Sequence, residues 1–243
     1  MSERAYLDWN ATAPLRPEAR AAFLAACDMS GNPSSVHAEG RAARAMIEAA
    51  RGQVAALVGA EPRNVTFTSG GTEANAMALS PALEQGGERA PRDRLLVSAI
   101  EHPSIRSGGR FPRAAIEEVP AGANGRVELA ALEERLAALS KAGLRPLVAI
   151  MLANNETGVI QPISEAARLV HQAGGLLHVD AVQAVGKIPC DITALEADLM
   201  AISAHKLGGP KGVGALIRGD ETLHVADPLI RGGGQERGTR AGT

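Results

Sequence analysis

Two glycines followed by a threonine stand where an apolar run gives way to a helical pattern. The run is residues 65–68, and it continues into Ser69-Gly70-Gly71-Thr72-Glu73. Glycines let a backbone approach an anion closely, and the free N–H groups at the start of a helix point toward it. The sequence therefore predicts a phosphate-binding turn that includes Gly71 and Thr72. The alternative is a glycine turn that binds nothing, because such turns often precede helices.

An aspartate and a lysine follow two further apolar runs. Asp180 ends the run 176–180, and a buried carboxylate needs a cation or strong hydrogen bonds. The protonated ring nitrogen of a cofactor would meet that need. Lys206 follows the run 199–202 and precedes Gly208 and Gly209. Burial and neighbouring cations lower the pKa of such a lysine and make its amine a nucleophile. The alternative is a surface lysine in a glycine loop.

Together the three groups match the three anchors of pyridoxal phosphate, which are its phosphate, its ring nitrogen and its aldehyde. A carboxylate beside the ring nitrogen keeps it protonated, and the ring then serves as an electron sink. A nucleotide site would need neither Asp180 nor Lys206 in this order. His102 and Asn155 follow two more apolar runs, where a structural histidine and a turn asparagine remain the alternatives.

Apolar runs alternate with helical patterns along most of the chain, which predicts an α/β fold with a mostly parallel sheet. Because the runs are apolar without alternation, the sheet is expected to carry helices on both faces. Ligands collect at the carboxyl ends of strands in such sheets, where the groups above fall. The strands are predicted at residues 65–68, 95–98, 116–119, 147–152, 176–179, 199–202 and 213–217. The helices are predicted at residues 38–58, 72–83, 127–139 and 163–173, and residues 86–93 are predicted to form a surface loop.

Composition narrows the class of protein. The net charge is −2 and aromatic residues make up 2% of the chain, so neither nucleic acid nor an anionic membrane is an expected partner. The only cysteines are Cys27 and Cys190, which show neither a disulfide framework nor metal-ligand spacing. The first residues lack the apolar core of a signal peptide, and no run is long enough to span a membrane. We expect a cytoplasmic protein without a bound metal.

Several motifs in one order resemble the cysteine desulfurase family, within the class V aminotransferases of fold type I. The matching blocks are residues 6–14 (YLDWNATAP), 31–37 (GNPSSVH), 67–75 (FTSGGTEAN), 154–162 (NNETGVIQP), 178–183 (HVDAVQ), 203–214 (SAHKLGGPKGVG) and 232–243 (GGGQERGTRAGT). The resemblance implies a three-layer large domain at residues 16–243. It also implies that residues 1–15 pack with a C-terminal small domain.

The resemblance further implies the role of each matching residue. Lys206 would form an imine with the cofactor and move the α-proton of the substrate, and His102 would stack on the ring and act in acid–base steps. Asp180 would pair with the ring nitrogen, Gln183 would bind the ring hydroxyl, and Asn155 would contact cofactor or substrate. The phosphate would be bound by Gly71, Thr72, Ser203 and His205, and by Thr243 from the other subunit of a homodimer.

The implied reaction converts L-cysteine to L-alanine and passes the sulfur to an acceptor such as an iron–sulfur scaffold protein. In the family, the sulfur goes first to a cysteine thiolate on a loop that lies beyond residue 243, as does the arginine that binds the substrate carboxylate. Cys27 and Cys190 match no such position. Two alternatives therefore stay open: another pyridoxal-phosphate aminotransferase or lyase, and a cofactor-binding fragment that is catalytically incomplete.

Overall fold

A seven-stranded sheet lies at the centre of the fold in the computed structural model, which describes residues 5–89 and 91–242. In chain order, the strands of the described residues are β1 Val65–Thr68, β2 Leu83–Gln85, β3 Glu88–Arg89, β4 Arg94–Ser98, β5 Ile116–Val119, β6 Pro146–Met151, β7 Leu176–Asp180, β8 Leu199–Ser203, β9 Gly214–Arg218 and β10 His224–Val225. The large sheet has the order β1-β9-β8-β7-β6-β4-β5, and a small antiparallel sheet has the order β10-β2-β3.

Strand direction explains why the predicted site residues can meet. β9 runs antiparallel to both of its neighbours, β1 and β8, whereas the pairs from β8 to β5 are all parallel. Every strand of the large sheet except β9 therefore points the same way. Their carboxyl ends share one edge, which is where ligands bind in sheets of this kind.

The helices of the described residues cover both faces of this sheet. They are α1 Pro17–Cys27, α2 Ala38–Leu57, α3 Gly71–Ala78, α4 Pro103–Arg106, α5 Leu129–Lys141 and α6 Ile163–Gln172. α5 and α6 pack on one face, and α3, α4 and the small sheet pack on the other. None of these helices is long and apolar enough to cross a membrane.

The central strands β6, β7 and β8 are mostly apolar because both of their faces are buried. Alternate side chains of a strand point to opposite faces. Thus Leu177 and Val179 of β7 join the core under α5 and α6, while Leu176 joins the core under α3. The predicted α/β class, with a mostly parallel sheet and helices on both faces, is confirmed.

Two local predictions were wrong. The helix predicted to reach residue 83 ends at Ala78, because Pro81 cannot continue it and Leu83 pairs in β2 instead. The predicted loop 86–93 contains β3, which joins β2 through Gly86 and Gly87, both with the positive φ that a tight hairpin requires.

Candidate cofactor-binding site

A cavity of about 320 Å³ opens at the carboxyl edge of the sheet. It brings together nearly all of the predicted site residues, although they come from five separate strand ends. The predicted residues that line it are Gly71, Thr72, His102, Asn155, Asp180, Gln183, Ser203, His205 and Lys206. Thr243, the remaining predicted residue, lies outside the described residues.

The glycine turn after β1 forms one end of the cavity. Gly70 has a φ of 152°, a backbone conformation that favours glycine, and Gly71 begins α3. A Cβ on Gly71 would lie 2.7 Å from Cγ2 of Val182 and 3.3 Å from Cβ of Ser203, so only glycine lets α3 begin this close to β8. The free N–H groups at the start of α3 are therefore exposed to the cavity beside Ser203, as a phosphate site requires.

His205 lies next to this end of the cavity and is held from the N-terminal segment. Its Nδ1 lies 3.2 Å from Oγ1 of Thr12, and its carbonyl accepts from the N–H of Ala13 at 2.9 Å. Burial lowers the pKa of His205, and the charges of Lys206 and Lys211 lower it further. The ring is therefore neutral near pH 7 until an anion arrives to favour its charged form.

Asp180 ends β7 and is 6% exposed. Its Oδ1 accepts from the N–H of Val182 at 3.0 Å, and its Oδ2 accepts from Nδ2 of Asn75 at 2.8 Å. Burial raises the pKa of Asp180, against the effect of these hydrogen bonds and of the charges on His102 and Lys206. A carboxylate in this setting is stabilised further by any cationic group that enters the cavity.

Lys206 lies in a short helical turn directly after β8, and its side chain is half-buried. Its Nζ donates to the backbone carbonyl of Asn10. Burial lowers the pKa of Lys206, and the carboxylates of Asp180, Asp8 and Glu156 oppose that shift. A larger share of the amine is thus neutral and nucleophilic than in a lysine in water.

Gln183 and Asn155 occupy the cavity wall with other partners already in place. Nε2 of Gln183 donates to the carbonyl of Asn10 at 2.8 Å, and its Oε1 accepts from Lys187 at 2.7 Å. Nδ2 of Asn155 donates to Oε1 of Glu156 at 2.6 Å. Each amide keeps a further N–H donor and a further acceptor lone pair with which it can contact a ligand.

His102 lies at the exposed rim of the cavity, just before α4. Its Nδ1 accepts from the N–H of Ser104 at 3.1 Å and lies 2.8 Å from the hydroxyl of Ser104. The ring is therefore fixed at one nitrogen, and the other is free to face a ligand.

Sequence reasoning missed several residues that line the cavity, among them Asn10, Asn75 and Ser104. Asn75 could have been found, because it follows Gly71 by one helical turn and is a polar residue among Ala74, Ala76 and Met77. Asn10 and Ser104 carry no comparable signal, since their partners are known only from the fold.

Neither cysteine lines the cavity. Cys27 is exposed at the end of α1, and Cys190 is buried with its Sγ 3.3 Å from the carbonyl of Ile188. Burial raises the pKa of Cys190 to about 11, so its thiol stays protonated near neutral pH.

The donor set fits pyridoxal phosphate. A buried carboxylate, a half-buried lysine amine and a glycine turn with free N–H groups line one cavity, and each has the chemistry that one part of the cofactor requires. The turn is also shaped for close approach, since a Cβ at Gly71 would clash with Val182. Lys206, Asp180 and the Gly71–Thr72 turn are the residues that would hold the group.

Comparison with known proteins agrees with this assignment. The aminotransferase class V family model matches residues 5–240. A cysteine desulfurase from Cereibacter sphaeroides is 43% identical over 99% of this chain, which covers 61% of that protein. The solved structure of a NifS-like protein from Rickettsia africae has a TM-score of 0.86 at 36% identity, over 99% of this chain and 64% of that one.

A structure described as SspA in complex with cysteine also matches, with a TM-score of 0.81 at 28% identity over 99% of this chain and 68% of that one. The chain spans about three fifths of the length of curated relatives that it matches. The fold, the cofactor-shaped cavity and the match over residues 5–240 place this chain in the class V aminotransferase family, whose members depend on pyridoxal phosphate.

Proposed function

We propose that this chain carries the cofactor-binding part of a cysteine desulfurase. The reaction converts L-cysteine to L-alanine and transfers the sulfur to a thiol acceptor, so that a thiol becomes a persulfide and no other reactant is consumed. The observation that carries the proposal is the convergence of Lys206, Asp180 and the Gly71–Thr72 turn on one cavity. The curated relatives named cysteine desulfurase, at about 40% identity, support the choice of this reaction within the family.

Bound pyridoxal phosphate supplies an electron sink that stabilises negative charge at the α-carbon of an amino acid. Each protein residue has a separate task. Asp180 holds a positive charge at the ring nitrogen, and Gly71, Thr72, Ser203 and His205 bind the phosphate. The neutral amine of Lys206 would hold the aldehyde of the cofactor and would move the α-proton of the substrate. The lowered pKa of Lys206, which burial causes, supports this role.

In this proposal His102 would stack on the ring and hold a proton at its free nitrogen. Gln183 would bind the ring hydroxyl, and Asn155 would contact cofactor or substrate. The solved neighbour in complex with cysteine supports cysteine as the ligand of the same cavity. Neither Cys27 nor Cys190 is the sulfur-accepting thiol, since neither lines the cavity.

The first experiment adds pyridoxal phosphate to the purified protein and follows the yellow colour of lysine-bound cofactor. We expect the colour in the wild type and its loss in Lys206→Ala. Lys187→Ala is the matched control, because this lysine lies close by but binds Gln183, and it should stay yellow. A colourless wild type, or a yellow Lys206→Ala, would contradict the cofactor assignment.

The second experiment separates the desulfurase from its alternative. The protein is given L-cysteine, a small thiol and 2-oxoglutarate as an amino acceptor, and sulfide, alanine and the keto acid formed from cysteine are measured together. Equal amounts of sulfide and alanine support a desulfurase. Keto acid without sulfide would show an aminotransferase instead.

We propose further that the protein is a cytoplasmic homodimer whose acceptor is an iron–sulfur scaffold or a thio-modification protein. Thr243 would reach the phosphate site of the partner subunit, as the family resemblance implies. Leu229 lines a second cavity beside Gly70 and Thr72 and is 42% exposed, which supports a subunit contact there. Sedimentation of the protein at several concentrations tests the dimer.

The N-terminal segment 1–15 is proposed to pack against a further domain. Leu7 is 87% exposed and Trp9 is 54% exposed, and α1 has no buried residue although it carries Phe23 and Leu24. So many exposed apolar side chains close together indicate a surface that another part of a protein covers. Limited proteolysis of this segment, with and without the remaining part of the protein, tests the proposal.

A further inference from the structure

Asn75 lies in the middle of α3, is 1% exposed and uses both ends of its amide. Its Nδ2 donates to Oδ2 of Asp180 at 2.8 Å and to Oγ of Ser104 at 3.0 Å. Its Oδ1 lies 2.9 Å from Nε2 of His178. One side chain therefore joins β7, α3 and α4 beneath the cavity.

The direction of each hydrogen bond follows from what the partners can do. A carboxylate only accepts, so the amide nitrogen of Asn75 must face Asp180. Its Oδ1 then faces His178 and can only accept, so His178 must carry its proton on Nε2. Burial lowers the pKa of His178 to about 3, which keeps that ring neutral and the arrangement fixed near neutral pH.

The second branch reaches His102 through Ser104. The backbone N–H of Ser104 donates to Nδ1 of His102 at 3.1 Å, so that nitrogen is an acceptor. The hydroxyl of Ser104, 2.8 Å from the same nitrogen, then donates to it and accepts from Asn75. The proton of His102 is thereby placed on Nε2, the nitrogen that Ser104 leaves free.

We propose that Asn75 is a positioning residue that orients Asp180, fixes the tautomer of His178 and holds the hydroxyl of Ser104 toward His102. This inference rests on the proposed function, in which Asp180 and His102 contact the cofactor. Asn75 needs no contact with the ligand to act. Among neutral side chains, an amide supplies two donor hydrogens and one acceptor at this spacing, which is what the three partners demand.

The test uses nitrogen NMR of histidine side chains in the cofactor-free protein, together with the affinity for pyridoxal phosphate. In the wild type, both His102 and His178 should show the proton on Nε2. Asn75→Ala should leave His178 averaging between its two tautomers and weaken cofactor binding about 10- to 100-fold, the usual effect of losing a hydrogen bond to a charged group. Ser104→Ala keeps the backbone N–H that donates to His102, so it should leave the proton of both histidines on Nε2.

Asn64→Ala is the matched control, because Asn64 is also a buried asparagine but lies outside the cavity. It should leave both histidines and the cofactor affinity unchanged. A wild-type His178 with its proton on Nδ1 would overturn the inference, even if Asn75→Ala failed to fold. So would a folded Asn75→Ala with unchanged histidines and affinity. Because these readouts need no turnover, a protein that binds the cofactor but releases no sulfide would refute the proposed function alone.

Discussion

Nε of Arg240 donates to Oε1 of Glu73 at 2.9 Å, across 167 positions of the chain. The same guanidinium donates to the hydroxyl of Ser69 at 2.8 Å, and the N–H of Ser69 donates to Oε2 of Glu73 at 2.8 Å. Burial acts to raise the pKa of Glu73, but the hydrogen bonds from Arg240 and Ser69 outweigh it and hold the pKa below its ordinary value. Arg240 thus holds the glycine turn of the cofactor site in place.

Arg240→Gln should therefore weaken both the fold and the cofactor site. We expect a loss of about 2 kcal/mol in the free energy of unfolding, because a partly buried carboxylate loses charge-assisted hydrogen bonds. We also expect weaker binding of pyridoxal phosphate. Urea unfolding and cofactor titration measure the two effects. Arg113→Gln, which changes an exposed arginine, is the control. Equal stability and equal cofactor affinity of the two variants would contradict this role of Arg240.

Glu101 makes the stability of the fold depend on pH. Burial raises its pKa to about 8, although Oγ of Ser98 donates to it at 2.5 Å and the N–H of Met151 at 2.7 Å. An unfolded glutamate has a pKa of about 4.3, so the folded chain keeps a proton that the unfolded chain releases. The contribution of Glu101 to the free energy of unfolding is therefore full below about pH 4.3. It decreases as the pH rises and is lost as the pH passes through about 8, by up to about 1.4 kcal/mol per pH unit.

Glu101→Gln should remove this dependence, since an amide resembles the protonated acid. Urea unfolding should show the variant as stable as the wild type near about pH 5 and more stable near about pH 9. Glu118→Gln, at an exposed glutamate, should follow the wild type throughout. Parallel profiles for Glu101→Gln and the wild type would refute the prediction.

Gly214 at the start of β9 lies against the glycine turn. A Cβ there would lie 2.5 Å from the carbonyl carbon of Gly70 and 2.7 Å from the carbonyl oxygen of Ile202. Because both neighbours are backbone atoms, Gly214→Ala should cost about 1–3 kcal/mol and displace the phosphate turn. Thermal unfolding and cofactor affinity measure this. Gly52→Ala in α2, where a Cβ meets nothing within 4 Å, should instead stabilise by about 0.5–1 kcal/mol.

The two cysteines should differ in reactivity. Cys27 is exposed, whereas burial raises the pKa of the Cys190 thiol to about 11. Alkylation of the folded protein should therefore modify Cys27 at least about ten times faster, with Cys190 labelled after unfolding. Mass spectrometry of peptides locates the label. Cys27→Ser should leave sulfide release from cysteine unchanged, and loss of that activity would make Cys27 the sulfur acceptor after all.

The sequence by itself determined the layered α/β architecture, because continuous apolar runs between helical patterns can be buried only in a sheet covered on both faces. It also determined which strand ends carry chemistry, and parallel strands bring those ends to one edge. Asp180, Lys206 and Gly71 could therefore be predicted to meet. Local exceptions arose where a proline or a glycine pair overrode periodicity, as at Pro81 and at Gly86–Gly87.

Only the tertiary structure decided how the site is held. The bonds from Asn75 to Asp180, from Lys206 to Asn10 and from Arg240 to Glu73 each join residues more than 100 positions apart. Periodicity encodes the face on which a side chain lies but not its partner on another element. The hydrogen bonds that hold Asp180, Glu101 and His102 exist because the strands and helices pack in this order.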